Sequence, residues 1–271
     1  MADEKGFVLK QGSNKAVLVL HGLTGSPFEM KQYSKFLYKH GYDVYCPNIP
    51  GHGESLEYLK ESKCEDWIEF SLRQYDDLSL SYEEVYVSGI CLGAVLALVI
   101  AINYSHIKGI ITLSNILFLD GWTMPWYKFL FPIGLNTVFR YFYSFPEKDP
   151  YGIKNLAVRK RISAMLKKNE VAFDCIPMTV VYELLELSKY VRGNINYIKC
   201  PILLMHSNED DLSGLKSAYF VYDNICSEQK ELVILENSYH LLVMDNEKDF
   251  VFEKSIEFLN KTQSVTMFQG V

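Results

Sequence analysis

Cys91 stands midway between two glycines in Gly89-Ile90-Cys91-Leu92-Gly93, where a β-favouring run (Val85, Tyr86, Val87) meets an Ala/Leu/Val/Ile segment suited to a buried helix. Glycine two residues either side of a reactive side chain permits a turn so sharp that a Cβ at either place would press on the adjoining strand or helix. Such a turn leaves the sulfur at a helix N-terminus, where unpaired N–H groups and the positive dipole end favour negative charge, first on sulfur and then on an oxyanion. The chemistry this suits is nucleophilic attack on a carbonyl carbon. Two other short stretches carry side chains able to move or orient a proton. His206-Ser207-Asn208-Glu209-Asp210-Asp211-Leu212 follows the apolar run Pro201–Met205, and Glu236-Asn237-Ser238-Tyr239-His240 follows Glu231–Leu235.

These groups need a scaffold, and the chain reads as one. Phe7–Leu9 is a short edge strand, and Ala16–Leu20 is a continuous apolar run of the kind found in parallel strands covered on both faces. The glycine-rich loop His21-Gly22-Leu23-Thr24-Gly25-Ser26-Pro27 follows it. Met30–Lys39 has helical spacing and stops at His40-Gly41, with Asp43–Cys46 as the next strand and Pro47–Gly53 as a stiff loop. Ser62 with Glu65 reads as a capping box ahead of an amphipathic helix carrying Trp67, Phe70, Tyr75 and Leu78. Gly109–Leu113 and the two runs before the proton-handling loops are further strands. Strands alternating with helices imply an α/β protein with a mainly parallel sheet, helices on both faces, and catalytic groups at the carboxyl ends of the strands. In that setting His21 orders its loop, and His52 is either solvent-exposed or a brace of the next loop.

From Ile116 to Tyr197 the pattern changes to a stretch dense in aromatics, Trp122, Trp126 and Phe129 among them, and broken by Pro125, Pro132, Pro146, Pro150 and Pro177. The whole chain of 271 residues has a net charge of −6 without long single-sign runs. That offers no basic stripe for nucleic acid and no polybasic membrane patch. The stretch MADEKGFVLKQGSNK lacks the features of a secretory signal, and no apolar run reaches the roughly 18 residues of a membrane span. A cytoplasmic location follows. Six dispersed cysteines without a C-x-x-C pair or zinc spacing predict no metal site, no disulfide framework and no cofactor, and the five besides Cys91 read as buried thiols.

Taken together, HGLTGSPFEM, PGHGE, GICLGA, the Asp-bearing loop and ENSYHLLVMDNEKD resemble the bacterial carboxylesterase and monoacylglycerol-lipase-like branch of the α/β-hydrolases. The resemblance implies a nucleophile elbow at Cys91, with His240 as general base and Asp210 as the acid that orients it; Asp211 is the alternative acid. It further implies an oxyanion hole from the backbone amides of Leu23 and Leu92. Residues 1–115 and 198–271 would form the core and 116–197 an aromatic-rich helical cap, with Trp122, Trp126 and Phe129 as candidates to line a pocket for an apolar acyl group.

The departure from this branch is cysteine where it normally has serine. An engineered replacement, a silent ligand-binding site and natural cysteine chemistry are the three explanations. The box alone also resembles dienelactone hydrolases and polyhydroxyalkanoate synthases, which have a cysteine nucleophile. A thiolate attacking an oxygen ester tends to be expelled again, whereas attack on a thioester exchanges like for like. The expected partner is therefore a small apolar acyl ester or thioester, free or carrier-bound, converted through an acyl-Cys91 intermediate by hydrolysis or by transfer to another acceptor. A simple carboxylesterase is the alternative.

Overall fold

The computed structural model describes residues 6–166, 173 and 175–268. Residues 1–5 of the N-terminal stretch read above, and 167–172 and 174 within the 116–197 segment, lie outside the described residues. The first half of the chain runs β1 (Phe7–Leu9), β2 (Lys15–Leu20), α1 (Pro27–Lys39), β3 (Asp43–Cys46), α2 (Leu56–Glu61), α3 (Cys64–Ser79), β4 (Glu84–Ile90), α4 (Leu92–Asn103) and β5 (Gly109–Leu113). After it come α5 (Phe131–Leu135), β6 (Ser144–Pro146), α6 (Leu156–Leu166), β7 (Cys175–Pro177) and α7 (Met178–Asn194). The chain closes with β8 (Ile202–Ser207), α8 (Leu215–Asn224), β9 (Lys230–Leu235) and α9 (Lys248–Phe268).

Seven strands form one sheet in the order β1-β3-β2-β4-β5-β8-β9, parallel throughout except for β1, which pairs antiparallel with β3 at the edge. The apolar runs without alternation belong to strands covered on both faces: Ala16–Leu20 and Ile202–Met205 are buried residue after residue. Helix α1 packs beside α9, and α4 packs between α3 and α7. Every residue of α4 from Leu92 to Ala101 is buried, as a helix that is apolar all round must be.

Register brings the chemistry together. Leu20 pairs with Gly89, Ile90 with Leu113, and Ser207 with Leu235, so β2, β4, β8 and β9 end at one edge of the sheet. The loops that leave those ends carry the residues singled out above.

Three local expectations differ. Ser62 does not open α3; it ends α2, donating through Oγ to the Tyr58 carbonyl, and the turn between the two helices is two residues wide. The amide of Lys63 is taken up by Asp66 and that of Cys64 by Glu183 from α7, so the cap comes partly from a residue far along the chain. Cys175 is half-buried and Cys226 exposed, unlike Cys46, Cys64 and Cys200. Cys226 follows α8 in an extended stretch that turns Ile225 and Ser227 inward, which sends the residue between them out.

The aromatic segment packs in two parts. Leu135 and Met178 gather Phe131, Tyr143 and Phe145 into a small cluster of their own. Helix α7, at the end of that segment, instead buries Val180, Leu184, Leu187 and Val191 in the main core. Among the described residues no helix is long and apolar enough to cross a membrane.

Candidate active site

Cys91 joins β4 to α4 with φ 57° and ψ −116°, a conformation that L-residues avoid at a cost on the order of 1–3 kcal/mol. The two glycines make this turn possible. A Cβ on Gly89 would lie 2.1 Å from the Gly93 carbonyl oxygen, and one on Gly93 would lie 2.1 Å from that of Leu20. The Cys91 amide is tied to the Leu113 carbonyl on β5 at 3.0 Å, and its side chain reaches the wall of a cavity of about 510 Å³.

His240 leaves β9 on a loop held from several sides. Asp245 accepts the amides of Tyr239, Lys154 and Asn155, and Glu247 accepts the Ser238 hydroxyl, while the Leu241 amide reaches the Gly152 carbonyl. The imidazole is buried, with Nδ1 at 2.7 Å from Oδ2 of Asp210. Its Nε2 has no hydrogen-bonding partner among the described residues. Burial opposes a charged ring here, but the Asp210 carboxylate and the nearby Cys91 sulfur outweigh it and hold the His240 pKa well above its usual value. Cys91 thus stands beside His240 without completing a hydrogen bond to it.

Asp210 occupies the loop after β8. Its Oδ1 accepts the amides of Leu212 and Ser213 at 2.9 and 2.8 Å, leaving Oδ2 for His240. Burial raises its pKa, but His240, the more distant His206 and the amide hydrogen bonds prevail and keep it below the usual value. The next residue, Asp211, differs. It lines the cavity, its Oδ1 has no partner among the described residues, and burial raises its pKa. The structure therefore brings Asp210, not Asp211, against His240.

Leu23 lies on the loop after β2 and Leu92 opens α4; the amide of neither donates to another of the described residues. Each of the two histidines braces its own loop. His21 accepts the Ile49 amide at Nε2, which puts the ring proton on Nδ1, facing the Gly22 carbonyl. His52 is buried rather than solvent-exposed and packs edge-on against His21 and Trp67. Burial brings the two rings down to about 3 and about 4, so both are neutral braces.

Of the three aromatic candidates only Trp122 lines the cavity, with its indole N–H on the Glu209 carbonyl. Trp126 and Phe129 do not, and this corrects the expectation. They are three apart on a 3-10 turn (Trp126–Leu130), so they share a face, and that face is turned outward. Tyr127, Phe131, Tyr143 and Phe145 supply the aromatic wall instead.

Two carboxyl groups that the residue pattern alone did not single out also face the cavity. Glu29, in the first turn of α1, accepts the Gly22 amide; Glu147 accepts the Thr24 hydroxyl. Burial pushes each carboxyl up to about 7, with Asp211 adding to the effect at Glu147. A signal existed for Glu147, the first acid after a stretch from Gly121 to Pro146 that has none.

Residues 11–248 match the profile of the family described as "Serine aminopeptidase, S33". A carboxylesterase of Bacillus subtilis (strain 168) is 28% identical over 258 residues, covering 95% of this chain and 96% of its own. A thermostable monoacylglycerol lipase of Bacillus sp. (strain H-257) is 27% identical over 253 residues, covering 90% of each. A solved structure from work on the metagenome-derived lipolytic enzymes LipS and LipT superposes with a TM-score of 0.82 at 24% identity, covering 96% of this chain and 99% of that one.

Proposed function

This chain belongs to the serine aminopeptidase family of α/β-hydrolases, and from that premise we propose that it is an esterase-like acyl-transfer enzyme whose nucleophile is Cys91. The observation that carries the reading is the backbone of Cys91 at φ 57°, a strained turn beside a histidine that is itself bonded to a buried aspartate. Strain of this kind persists where it aims a side chain. The curated relatives, a carboxylesterase and a monoacylglycerol lipase, support an ester of an apolar acyl group as substrate. The apolar cavity wall of Tyr127, Phe131 and Phe145 fits such a group.

In the proposed mechanism Nε2 of His240 takes the proton from Cys91 as Sγ bonds to the acyl carbonyl carbon. The carbonyl electron pair moves onto oxygen, where the Leu23 and Leu92 amides hold it, each contributing about 3 kcal/mol in comparable sites. Collapse re-forms the carbonyl and breaks the bond to the leaving oxygen or sulfur, which takes the proton from His240. The acyl-Cys91 is then attacked by water, or by another acceptor, as His240 removes the acceptor's proton; Sγ leaves and is reprotonated. Asp210 keeps the ring in the tautomer this requires and stabilises the imidazolium. The segment from 116 to 197 serves as the cap over this site, although α7 within it also packs in the main core.

Cysteine bears on the donor. A thiol and an alkoxide leave a tetrahedral carbon unequally, so an oxygen ester is turned over only if His240 protonates the alkoxide first, whereas a thioester has no such handicap. We therefore favour a thioester donor, free or on a carrier. A plain ester hydrolase is the second reading, favoured by the two curated relatives. Free cysteines are in keeping with a reducing compartment, and we place the protein in the cytoplasm.

Intact-mass measurement after incubation with a panel of thioesters and activated esters tests the reading, with Cys91→Ala alongside. An acyl adduct that needs Cys91 and forms best from thioesters is the expected result. Unchanged turnover in Cys91→Ala would overturn the nucleophile. Faster hydrolysis of oxygen esters by Cys91→Ser, without a thioester adduct in the parent, would favour the second reading.

A further inference from the structure

Glu29 holds the loop that carries Leu23, a part the mechanism above does not assign. It stands in the first turn of α1, and its Oε1 accepts the Gly22 amide. The carbonyl of the same glycine receives the Nδ1 proton of His21. Both polar groups of Gly22 are thus tied. Because the peptide unit is planar, the two ties together set the direction of the next N–H, that of Leu23. The loop needs such a clamp: Thr24 follows with φ 59°, a conformation L-residues avoid, and the Leu23 amide donates to none of the described residues.

Room for the carboxyl is made by two missing side chains. A Cβ on Gly25 would lie 2.9 Å from Cδ of Glu29, and one on Gly22 would lie 3.1 Å from Oε1 and 3.2 Å from Cβ of Cys91. The glycines therefore seat this carboxyl beside the nucleophile. A negative charge there would oppose the two charges the reaction develops, the thiolate on Cys91 and the oxyanion at the Leu23 and Leu92 amides. A protonated carboxyl keeps the bond to Gly22 through Oε1, carries its proton on Oε2, and adds no charge.

The surroundings of Glu29 favour that neutral form. Cys46 faces it from β3, His240 acts on it from the loop after β9, and Cys91 lies across Gly22. Cys46 is itself held neutral by burial and by Glu29. Among the described residues β1, β2 and α9, which also pack on α1, bring no ionisable side chain that acts on Glu29. Glu147, Lys148, Asp149 and Asp211 line the same cavity without acting on it appreciably. The Gly22 amide and His240 pull toward the carboxylate, yet burial prevails and pushes the carboxyl up to about 7.

We propose, on the acyl-Cys91 reading, that Glu29 is a positioning residue that works protonated: it clamps Gly22 so that the Leu23 N–H faces the oxyanion, and loss of its proton lowers turnover. The test compares the full-length chain with Glu29→Gln and Glu29→Ala on one activated thioester between about pH 5 and about pH 9. Glutamine at position 29 imitates the protonated acid, with an oxygen for Gly22 and an N–H in place of the O–H. In the parent, kcat/KM should fall above about pH 7 by about tenfold per pH unit, the slope of one lost proton. In Glu29→Gln that limb should be absent, while limbs belonging to the Cys91–His240 pair remain. At about pH 6, Glu29→Ala should lose about 100-fold in kcat with KM changed by less than about twofold, because the oxyanion forms only on the way to the transition state. Glu29→Gln should recover most of that loss.

A falling limb that persists unchanged in Glu29→Gln, or a Glu29→Gln no faster than Glu29→Ala, overturns the proposal. So does a rise in KM that accounts for the whole loss in Glu29→Ala, which would make Glu29 a substrate contact. Infrared difference spectra of the parent against Glu29→Gln read the proton without turnover. The band of a protonated carboxyl is expected at about pH 6 and should be gone by about pH 9; its absence at the lower pH overturns the proposal. If no acyl-Cys91 forms, the reading beneath has failed and the part in turnover falls with it. A band that still titrates marks that case off from an ionised Glu29.

Discussion

Nδ1 of His240 lies 2.7 Å from Oδ2 of Asp210, while the other oxygen of that carboxylate is occupied by the amides of Leu212 and Ser213. The carboxylate is thus fixed at one end and free to orient the ring at the other. Asp211, one residue on, has no such bond to His240. Asp210→Asn should lower kcat/KM by on the order of 10³–10⁴, because the amide can present its N–H to Nδ1 and force the wrong tautomer. Asp211→Asn should cost less than about tenfold. Steady-state kinetics on one activated ester or thioester decides, and the reverse ranking would reassign the acid.

The elbow makes a prediction about stability rather than rate. Because added Cβ atoms at Gly89 and Gly93 would meet backbone oxygens at 2.1 Å, Gly89→Ala or Gly93→Ala must move a strand or a helix. A loss of about 3 kcal/mol or more is expected in urea denaturation. Gly193, in α7, has nothing within 4 Å of its added Cβ. Gly193→Ala should therefore stabilise by about 0.5–1 kcal/mol. Equal effects at the three positions would mean that the elbow tolerates a wider turn.

The strand pattern was legible because parallel strands buried on both faces read as unbroken apolar runs, and Asp43–Cys46 and Gly109–Leu113 end where such runs end. The elbow was legible because its sterics demand glycine at fixed positions. What the residue order hid was everything set by contacts distant in sequence. Glu183 capping α3 from 119 positions away leaves no local mark, so Ser62 and Glu65 looked like the better cap. Asp245, which ties the His240 loop to Lys154 and Asn155, reads as one acid among several. Which aromatic rings face the cavity depends on the phase of a short 3-10 turn, and composition does not encode phase.

That phase gives two neighbouring side chains opposite duties. Tyr127 lines the cavity, whereas Trp126 points away from it. On a soluble substrate with a medium-length acyl chain, Tyr127→Ala should raise KM by about tenfold, the loss expected when part of an apolar contact is removed. Trp126→Ala should change neither KM nor kcat beyond about twofold on the same substrate. Equal increases in KM would mean that both rings reach the acyl chain.

The cavity carboxyls make the protein's stability depend on pH in a direction opposite to that of most paired acids. The Glu29 carboxyl ordinarily titrates near 4.5, and burial brings it to about 7 in the folded chain. Between those values the folded protein holds a proton that the unfolded chain has released, so folding takes up a proton and stability falls as pH rises. The contribution is fully present below about pH 4.5 and lost above about pH 7. Glu147 acts in the same direction. Glutamine at position 29 keeps an oxygen for the Gly22 amide but cannot ionise. Because Glu29 is on the wall of an open cavity, the difference in unfolding free energy between pH 5 and pH 8 should shrink in Glu29→Gln by only on the order of 1 kcal/mol. Urea denaturation of both proteins at the two pH values measures it. Identical pH slopes would show that the carboxyl is ionised in the fold without cost, and that solvent in the cavity screens it fully.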